Sequence, residues 1–288
     1  MIYLLLPAYN EEASLPKLLP KIAARFKEKS VNYHLVVVND GSTDKTGTIL
    51  EEYSAKGDIP MTVLKHEINR GLGETERDGF EHISRIADRD DVLVRVEGDD
   101  THDPKYIFDL IDQVENGFHV VNTSRFQPGG GQKGLDNYRT IISRLANLFM
   151  KLVFNIKGVK DYSCGFRAYR VSVIKDAIAI FGNGFVQLRG LGFTTTLEVI
   201  VKLKLMGRRF SEVPFILRYD QKESSSKMVS SVTTLGYLVM GILYHWPFGG
   251  WKRQYNGLNK LYPQNQELAV AQYNIHNIRR STISRIGV

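Results

Sequence analysis

From position 94 to 104 the chain reads VRVEGDDTHDP, an apolar strand-like run followed at once by Glu97, Asp99, Asp100, His102 and Asp103. Carboxylates packed this closely repel one another unless a cation sits among them or water screens them. Glu97 and Asp99 lie two apart, so in an extended segment both side chains point the same way. Two hard oxygen donors with no neighbouring thiolate suit Mg2+ or Mn2+, with a diphosphate completing the coordination. The plain alternative is an acidic, solvated loop. For Asp103 that alternative is specific, because in HDPK it can cap a helix whose first position is Pro104.

The elements that must position these groups follow from periodicity. Strands are predicted over 2–6, 34–38, 61–64, 92–96 and 118–122, with YLLL and LVVV reading as the unbroken apolar runs of buried parallel strands. Helical faces alternate with them: Leu15, Leu19, Ile22 and Phe26 share one, and Ile107, Leu110, Ile111 and Val114 another. Alternation of this kind predicts an α/β fold with a mostly parallel sheet and flanking helices. Two further polar clusters, PAYNEE and NDGSTD, follow the first and second strands as EGDDTHD follows the fourth. Open α/β sheets bind ligands at the carboxyl ends of strands, so the three clusters describe one site.

Nucleotide chemistry is the best fit to that site. Glu11 and Asp40 can accept hydrogen bonds from a ribose or a base, and Tyr9 either stacks on the base or simply packs. The dinucleotide fingerprint is broken, since in GLGET the third glycine position falls on Glu76, and no GxxxxGK[ST] loop occurs. Hydride transfer and P-loop ATP hydrolysis are therefore not expected.

Composition agrees with an enzyme of one large or two small domains: 288 residues, 43% hydrophobic and 24% charged. A net charge of +7 points to a phosphate-bearing partner or a basic solvated surface, and no nucleic-acid partner is expected. The single cysteine, Cys164, allows no internal disulfide and suits a reducing compartment. The opening IYLLLPAYNEE has no basic segment or cleavage site, so no secretory leader is expected and the chain is read as cytoplasmic.

LLPAYNEE, VVVNDGSTDKT, NRGLG, EGDD, TSRFQPGGG, CGFRAYR and ESSSKM stand in the order seen in family 2 glycosyltransferases. Over 1–228 the chain resembles that family, and within it the polyprenyl-phosphate sugar synthases. The resemblance implies a glycosyltransferase A-type nucleotide-binding sandwich. It implies that Pro7, Tyr9, Glu11, Val38 and Asp40 line the nucleoside pocket, and that the Asp-x-Asp metal motif falls on Glu97, Gly98 and Asp99. Glu97 is one methylene longer than the usual first residue, so Asp99 is the expected direct ligand of Mg2+ or Mn2+. Thr101 is expected to add a polar contact to metal or phosphate. His102 is read as structural, since direct displacement needs no protonated imidazole.

The acceptor side carries Arg125, Arg139 and Ser143, of which the last two are four apart on a predicted helix and share a face. The resemblance places these three on the lipid phosphate, for which a guanidinium fork is the natural partner. Arg144 points elsewhere on that helix. Asp161 in DYSCGFRAYR is a base only if the acceptor is a hydroxyl; otherwise the motif is structural, with Arg167 ion-paired. Glu198 is a weaker acceptor-side candidate. In LRYDQKESSSKM, Arg218 or Lys227 is expected to reach the diphosphate. The apolar stretch 232–248 is too short for a bilayer crossing of about 20 residues, and reads as either an interfacial or a core helix, with GGWKRQ after it suited to a headgroup boundary.

The expected organisation is a catalytic domain over 1–228, a helical segment over 229–260 and a tail over 261–288 without a readable motif. Three functions remain open: a metal-dependent, inverting transfer from a nucleotide-diphosphate sugar to a polyprenyl phosphate, with peripheral membrane contact; transfer to a saccharide or small-molecule hydroxyl; or non-catalytic binding of a nucleotide sugar.

Overall fold

The computed structural model of the chain describes residues 1–135, 137–223, 230–246 and 250–274, the side chains at 137–139 and 230 excepted. Its first half alternates as expected: β1 (Ile2–Ala8), α1 (Leu15–Lys29), β2 (Tyr33–Asp40), α2 (Thr46–Lys56), β3 (Met61–His66), α3 (Leu72–Ile86) and β4 (Val92–Arg95). A short 3-10 turn, Pro104–Tyr106, leads into α4 (Ile107–Glu115), and β5 (Val120–Ser124) follows. Asp103 opens the turn as its cap, accepting from the Lys105 main-chain N–H at 2.9 Å. The second half carries β6 (Gly131–Lys133), α5 (Asn137–Phe154), β7 (Arg167–Arg170), α6 (Val171–Phe181), α7 (Thr194–Leu205), β8 (Phe210–Pro214) and β9 (Ile216–Arg218). It closes with α8 (Ser230–His245), α9 (Trp251–Gln254), α10 (Leu258–Gln264) and α11 (Gln266–Tyr273).

The main sheet has seven strands in the order β3-β2-β1-β4-β7-β5-β8, and β6 pairs with β9 separately. Parallel pairing joins β3, β2, β1 and β4, and also β5 with β8, while β7 runs antiparallel between β4 and β5. Because side chains alternate along a strand, the sheet feeds two cores. Leu4, Leu6, Leu35 and Val37 face α1 and α4, where Leu19, Ile22, Phe26, Leu110 and Ile111 are buried. Leu5, Val36 and Val38 face the other layer, which holds Phe80, Ile174, Val199 and, from the C-terminal helices, Trp251, Tyr262 and Ala269. The segment beyond 261 that lacks a sequence motif is thus packed by ordinary apolar burial, as far as 274.

The chain leaves β1 toward β2 on one side and returns to β4 on the other side of β1. This is a topological switch point, where the main chain diverges and leaves a crevice at the carboxyl strand ends. The loop after β4 closes tightly over β1 there: a Cβ on Gly98 would stand 2.8 Å from the Pro7 carbonyl oxygen, so the approach requires glycine.

Candidate active site

The loops leaving β1 and β2 are fastened to each other. Asn10 N donates to Ser42 Oγ at 3.0 Å, Thr43 N to Asn10 Oδ1 at 2.8 Å, and Glu11 N to Thr46 Oγ1 at 2.8 Å. Glu12 N donates to Asp44 Oδ2 at 3.1 Å, and Lys45 N to Glu12 Oε2 at 3.0 Å. PAYNEE and NDGSTD therefore form one rim at the switch point, with Pro7 paired in register with Val38 beneath it.

Two residues expected to line the pocket have other work. Val38 turns its side chain into the core, so it can line a nucleoside pocket with main-chain atoms alone. Asp40 is buried, and both its oxygens are engaged: Oδ1 by His66 Nδ1 at 2.6 Å and Arg70 N at 2.8 Å, and Oδ2 by Gly71 N at 2.8 Å. It holds the NRGLG turn against β2. A carboxylate offers about four acceptor positions, so a ligand donor can still be received, but the anchoring comes first.

Arg95, fully buried at the end of β4, forms a hydrogen bond from Nε to Glu76 Oε1 at 2.8 Å and an ion pair through Nη1 with Glu97. Glu76, the residue that breaks the dinucleotide fingerprint, is thus the counterion of a buried arginine. Gly165 leaves room for this group, since a Cβ there would come within 2.7 Å of Glu97 Oε1. Glu97 is tied to the protein interior, which leaves Asp99 as the carboxylate presented by the motif.

Asp99 is set by its neighbours. Thr101 Oγ1 donates to Asp99 Oδ1 at 2.6 Å, so this hydroxyl orients the carboxylate. Oδ2 meets the Lys222 ammonium. Burial pushes the Asp99 carboxyl up, but Lys222, His102 and Thr101 outweigh it and hold Asp99 below the usual carboxylate range. Burial lowers the Lys222 ammonium, and Asp99, Glu11 and Glu97 more than reverse this. The adjacent Asp100, at a positive φ of 58°, meets Lys21 Nζ at 2.6 Å. His102 is buried, stacks on Phe215 at 5.5 Å and has its imidazolium disfavoured by burial, as a structural histidine should.

Among the described residues, no three Asp, Glu, His or Cys side chains converge as a ready-made metal cage. The donor set still fits a hard divalent ion of the Mg2+ type, which takes one or two carboxylates and completes its shell with substrate phosphate and water. The observation that carries this fit is the lysine cation already standing on Asp99 with Glu11 and Glu97 nearby.

Arg125, just after β5, lies against the Asp161 carboxylate through Nε at 2.7 Å and Nη2 at 2.9 Å. Its Nη1 reaches Ser143 Oγ on α5 at 3.4 Å, so two of the three expected acceptor residues come together. Arg139 is on the first turn of α5, but its side chain lies outside the described residues. Asp161 is buried; burial raises its carboxyl, and Arg125 overrides that and holds it below the usual range. Enclosed and paired, it is unsuited to serve as a base.

Other expectations need correction. Arg167 donates to the main-chain carbonyls of Tyr162, at 3.1 Å, and Thr196, where a carboxylate partner was expected. Glu198 is buried and accepts from Gln187 N at 3.0 Å and Leu188 N at 2.9 Å, a structural anchoring of the segment before α7. Arg218 forks onto Asp220 of its own turn, at 2.9 and 2.8 Å. Lys227 lies outside the described residues. Among the described residues of this segment, the cation that meets a site carboxylate is Lys222, which stands between Arg218 and Lys227 in the sequence.

Beside Ser143, α5 exposes Ile141, Ile142, Leu145, Leu148, Phe149 and Leu152, the last at 74%. Its neighbour α8 exposes Leu235, Leu238 and Ile242, with Trp246 just beyond its end, while burying Thr233, Met240 and Tyr244. The stretch 232–248 is thus both core and surface, one face each, as far as 246. No described helix is long and apolar enough to cross a membrane.

A family model described as Glycosyl transferase family 2 matches residues 3–177. The chain is 30% identical to a dolichol-phosphate mannosyltransferase of Pyrococcus furiosus over 215 residues, 74% of this chain and 55% of the relative. It is 30% identical to a polyprenol monophosphomannose synthase of Mycolicibacterium smegmatis over 183 residues, 63% of this chain and 66% of the relative. The matched region is thus between half and two-thirds of each relative's length. Among solved structures, a glucosyl-3-phosphoglycerate synthase from Mycobacterium tuberculosis, in complex with Mn2+, UDP and phosphoglyceric acid, superposes with a TM-score of 0.55 at 16% identity, covering 84% of this chain and 77% of that one. At that identity the likeness is one of fold, the glycosyltransferase A type.

Proposed function

The chain belongs to glycosyl transferase family 2, and from that premise we propose that it transfers a sugar from a nucleotide diphosphate to the phosphate of a polyprenyl phosphate, at the cytoplasmic face of a membrane. The observation that carries this reading is the juxtaposition on α5. A buried guanidinium, Arg125, touches Ser143, and the same helix continues as an exposed apolar face extended by α8. An anion-binding group beside a large uncovered apolar surface suits a ligand with a phosphate head and a hydrocarbon tail. The two curated relatives are named as a dolichol-phosphate mannosyltransferase and a polyprenol monophosphomannose synthase, which supports the same acceptor class here.

The chemistry then needs little acid–base help. A phosphate monoester carries about −1.5 to −2 charge near neutral pH, so its oxygen attacks the anomeric carbon without first losing a proton to the enzyme. A bond forms from that oxygen to the anomeric carbon, and the bond from that carbon to the diphosphate breaks on the opposite face. The nucleoside diphosphate departs and configuration is inverted. The rim formed by the β1 and β2 loops holds the donor, and Arg125, Ser143 and Arg139 hold the acceptor phosphate, so the protein contributes chiefly position. A divalent ion, Mg2+ or Mn2+, held on Asp99 with Glu97 and Thr101 behind it, would offset charge on the leaving diphosphate. Asp161, enclosed with Arg125, supplies no base for a hydroxyl acceptor, which weighs against the saccharide reading.

The test is a transfer assay with UDP-, GDP- and dTDP-sugars in Mn2+, offering a short-chain prenyl phosphate, the matching prenyl alcohol and simple sugars. Product is expected from the prenyl phosphate and one donor class. Transfer to a sugar hydroxyl with none to prenyl phosphate would overturn the assignment.

A further inference from the structure

At the end of the sheet opposite the candidate active site, three adjacent strand ends bring basic side chains together. His119 precedes β5, Arg170 ends β7 and Arg209 precedes β8, and the main chain laces them: Arg170 N donates to His119 O at 3.0 Å, and His119 N to Arg209 O at 2.9 Å. With Arg208 they line an open cleft of about 320 Å3, near the lower end of small-molecule pockets. Asp90, the acidic residue on the cleft wall, is exposed at its edge.

The three guanidiniums are held in place by main-chain carbonyls; Tyr262 and the Asp176 carboxylate behind it offset Arg208 only in part, and burial with Arg209 outweighs them. Arg170 donates to the carbonyls of Asp90 at 2.8 Å and Val114 at 3.0 Å, Arg208 to that of Met206 at 3.2 Å, and Arg209 to that of Gly117. Among the described residues, their hydrogen bonds go to main-chain carbonyls, whereas nearby Arg89 forks onto the Asp176 carboxylate. Arg208 is buried with its guanidinium 4.1 Å from the Tyr262 ring centroid, so it cannot swing away to relieve the repulsion. A guanidinium has five donors, and carbonyl contacts of this number leave several directed elsewhere. His119 shows the resulting field: burial, then Arg208, Arg209 and Arg170, push its imidazole down to about 4. Ser172, in the first turn of α6, adds a helix start to the cleft wall; its N–H already donates to Arg89 O at 2.9 Å, so what it offers an anion is the peptide dipole.

We infer that this cleft is a second anion site, built for a small oxyanion of the phosphate class, either free or as a phosphomonoester, and separate from the donor and acceptor sites. Arginine forks match phosphate oxygens in geometry as well as charge. The five residues of β5 alone set the cleft roughly 17 Å from Arg125, so one ligand of this size does not occupy both.

The experiment titrates inorganic phosphate, and in a second arm glucose 1-phosphate, into the full chain without metal or nucleotide sugar, following the His119 imidazole by NMR. A saturable shift is expected, with the His119 pKa rising as the anion offsets the arginines. Arg209→Gln, at an exposed position, should weaken binding roughly ten- to a hundredfold, and Arg209→Lys should restore part of it. Ser172→Asp, which places a carboxylate in the cleft at a helix position that tolerates one, should abolish the response. Tighter binding of glucose 1-phosphate than of inorganic phosphate identifies a phosphorylated metabolite as the ligand class, and the reverse order identifies the free ion. No His119 response to either probe would overturn the site. A response equal in wild type, Arg209→Gln and Ser172→Asp would mean an adventitious ion only, and would overturn it as well.

Discussion

On the donor side of the candidate active site the acidic loop after β4 has cations supplied by the chain: Asp99 has Lys222, Asp100 has Lys21 and, toward the interior, Glu97 has Arg95. On the acceptor side the charge is also matched, Arg125 against Asp161, but the apolar faces of α5 and α8 stand exposed. The donor side is therefore electrostatically complete and must exchange a partner to bind a cation. The acceptor side is electrostatically complete as well, and what it lacks is an apolar environment. A soluble donor and an amphiphilic acceptor would be met by these two different kinds of incompleteness.

The sharpest break of that contrast is at Asp99. Asp99→Asn keeps the shape and the Thr101 contact but removes the charge that Lys222, or a divalent ion, answers. Transfer is expected to fall by about a thousandfold, the scale of losing one electrostatic contact to developing charge, in a protein that stays folded but melts lower because Lys222 loses its counterion. Turnover near wild type would move the cation site elsewhere.

Arg125 breaks the acceptor side through stability. Removing one member of a buried ion pair leaves an uncompensated charge and costs about 3–5 kcal/mol, so Arg125→Ala should melt several degrees lower, and Asp161→Asn likewise. In wild type the depressed Asp161 carboxyl contributes stability that is present above its ordinary value of 3.8 and is lost as pH falls through the lower folded value. Without Arg125 the Ser163 contacts remain but the largest cause opposing burial is gone, so the carboxyl rises and acid destabilisation should begin at higher pH. Coincident acid-unfolding curves for the two proteins would show that the pair does not control Asp161.

The exposed faces can be altered without touching either charged group. Leu145→Glu or Leu238→Glu replaces a side chain whose burial in an apolar phase contributes about 1.5–3 kcal/mol. Flotation with anionic vesicles should weaken roughly ten- to a hundredfold per substitution, while transfer to a short-chain, soluble prenyl phosphate stays near wild type. Loss of both together would place these residues in the fold or the site instead of at a membrane.

How much of this was legible follows from the range of each interaction. β1, β2 and the two helical faces of α1 and α4 are local patterns, and they stand where periodicity put them. The Asp103 cap lies within two residues of its donor. Arg95 sat in VLVRV as an anomaly within an apolar strand, but its counterion Glu76 is 19 residues away and carried no mark of it. Arg125 and Asp161 are 36 apart, and Lys222 and Asp99 are 123 apart. Such pairs exist only once the sheet has brought strand ends together, so the sequence showed the ions without their partners. The α5 stripe failed to stand out for another reason: apolar side chains lie around most of that helix, and only packing decides that Met150 and Phe154 go inward while Leu145 and Leu152 do not.

The smallest expected effect, and the finest test of the contrast, is at Lys222. Its ammonium sits on Asp99 with Glu11 and Glu97 nearby, so it is the cation a divalent ion must displace or share with. Lys222→Met keeps much of the side-chain volume and removes the charge. Two consequences follow. The acidic cluster loses its compensating cation, which raises local repulsion, and the competitor for Asp99 disappears. Since a divalent ion relieves the same repulsion, both favour its binding in the variant. Mn2+ affinity without nucleotide, followed by electron paramagnetic resonance, should therefore tighten by up to about tenfold, or roughly 1.4 kcal/mol. Once a diphosphate is bound, the released ammonium is available to it, so transfer in the variant should fall modestly even as metal binding improves. Weaker Mn2+ binding in Lys222→Met would show instead that the lysine supports the metal site, and that the donor side is not held complete by its own chain.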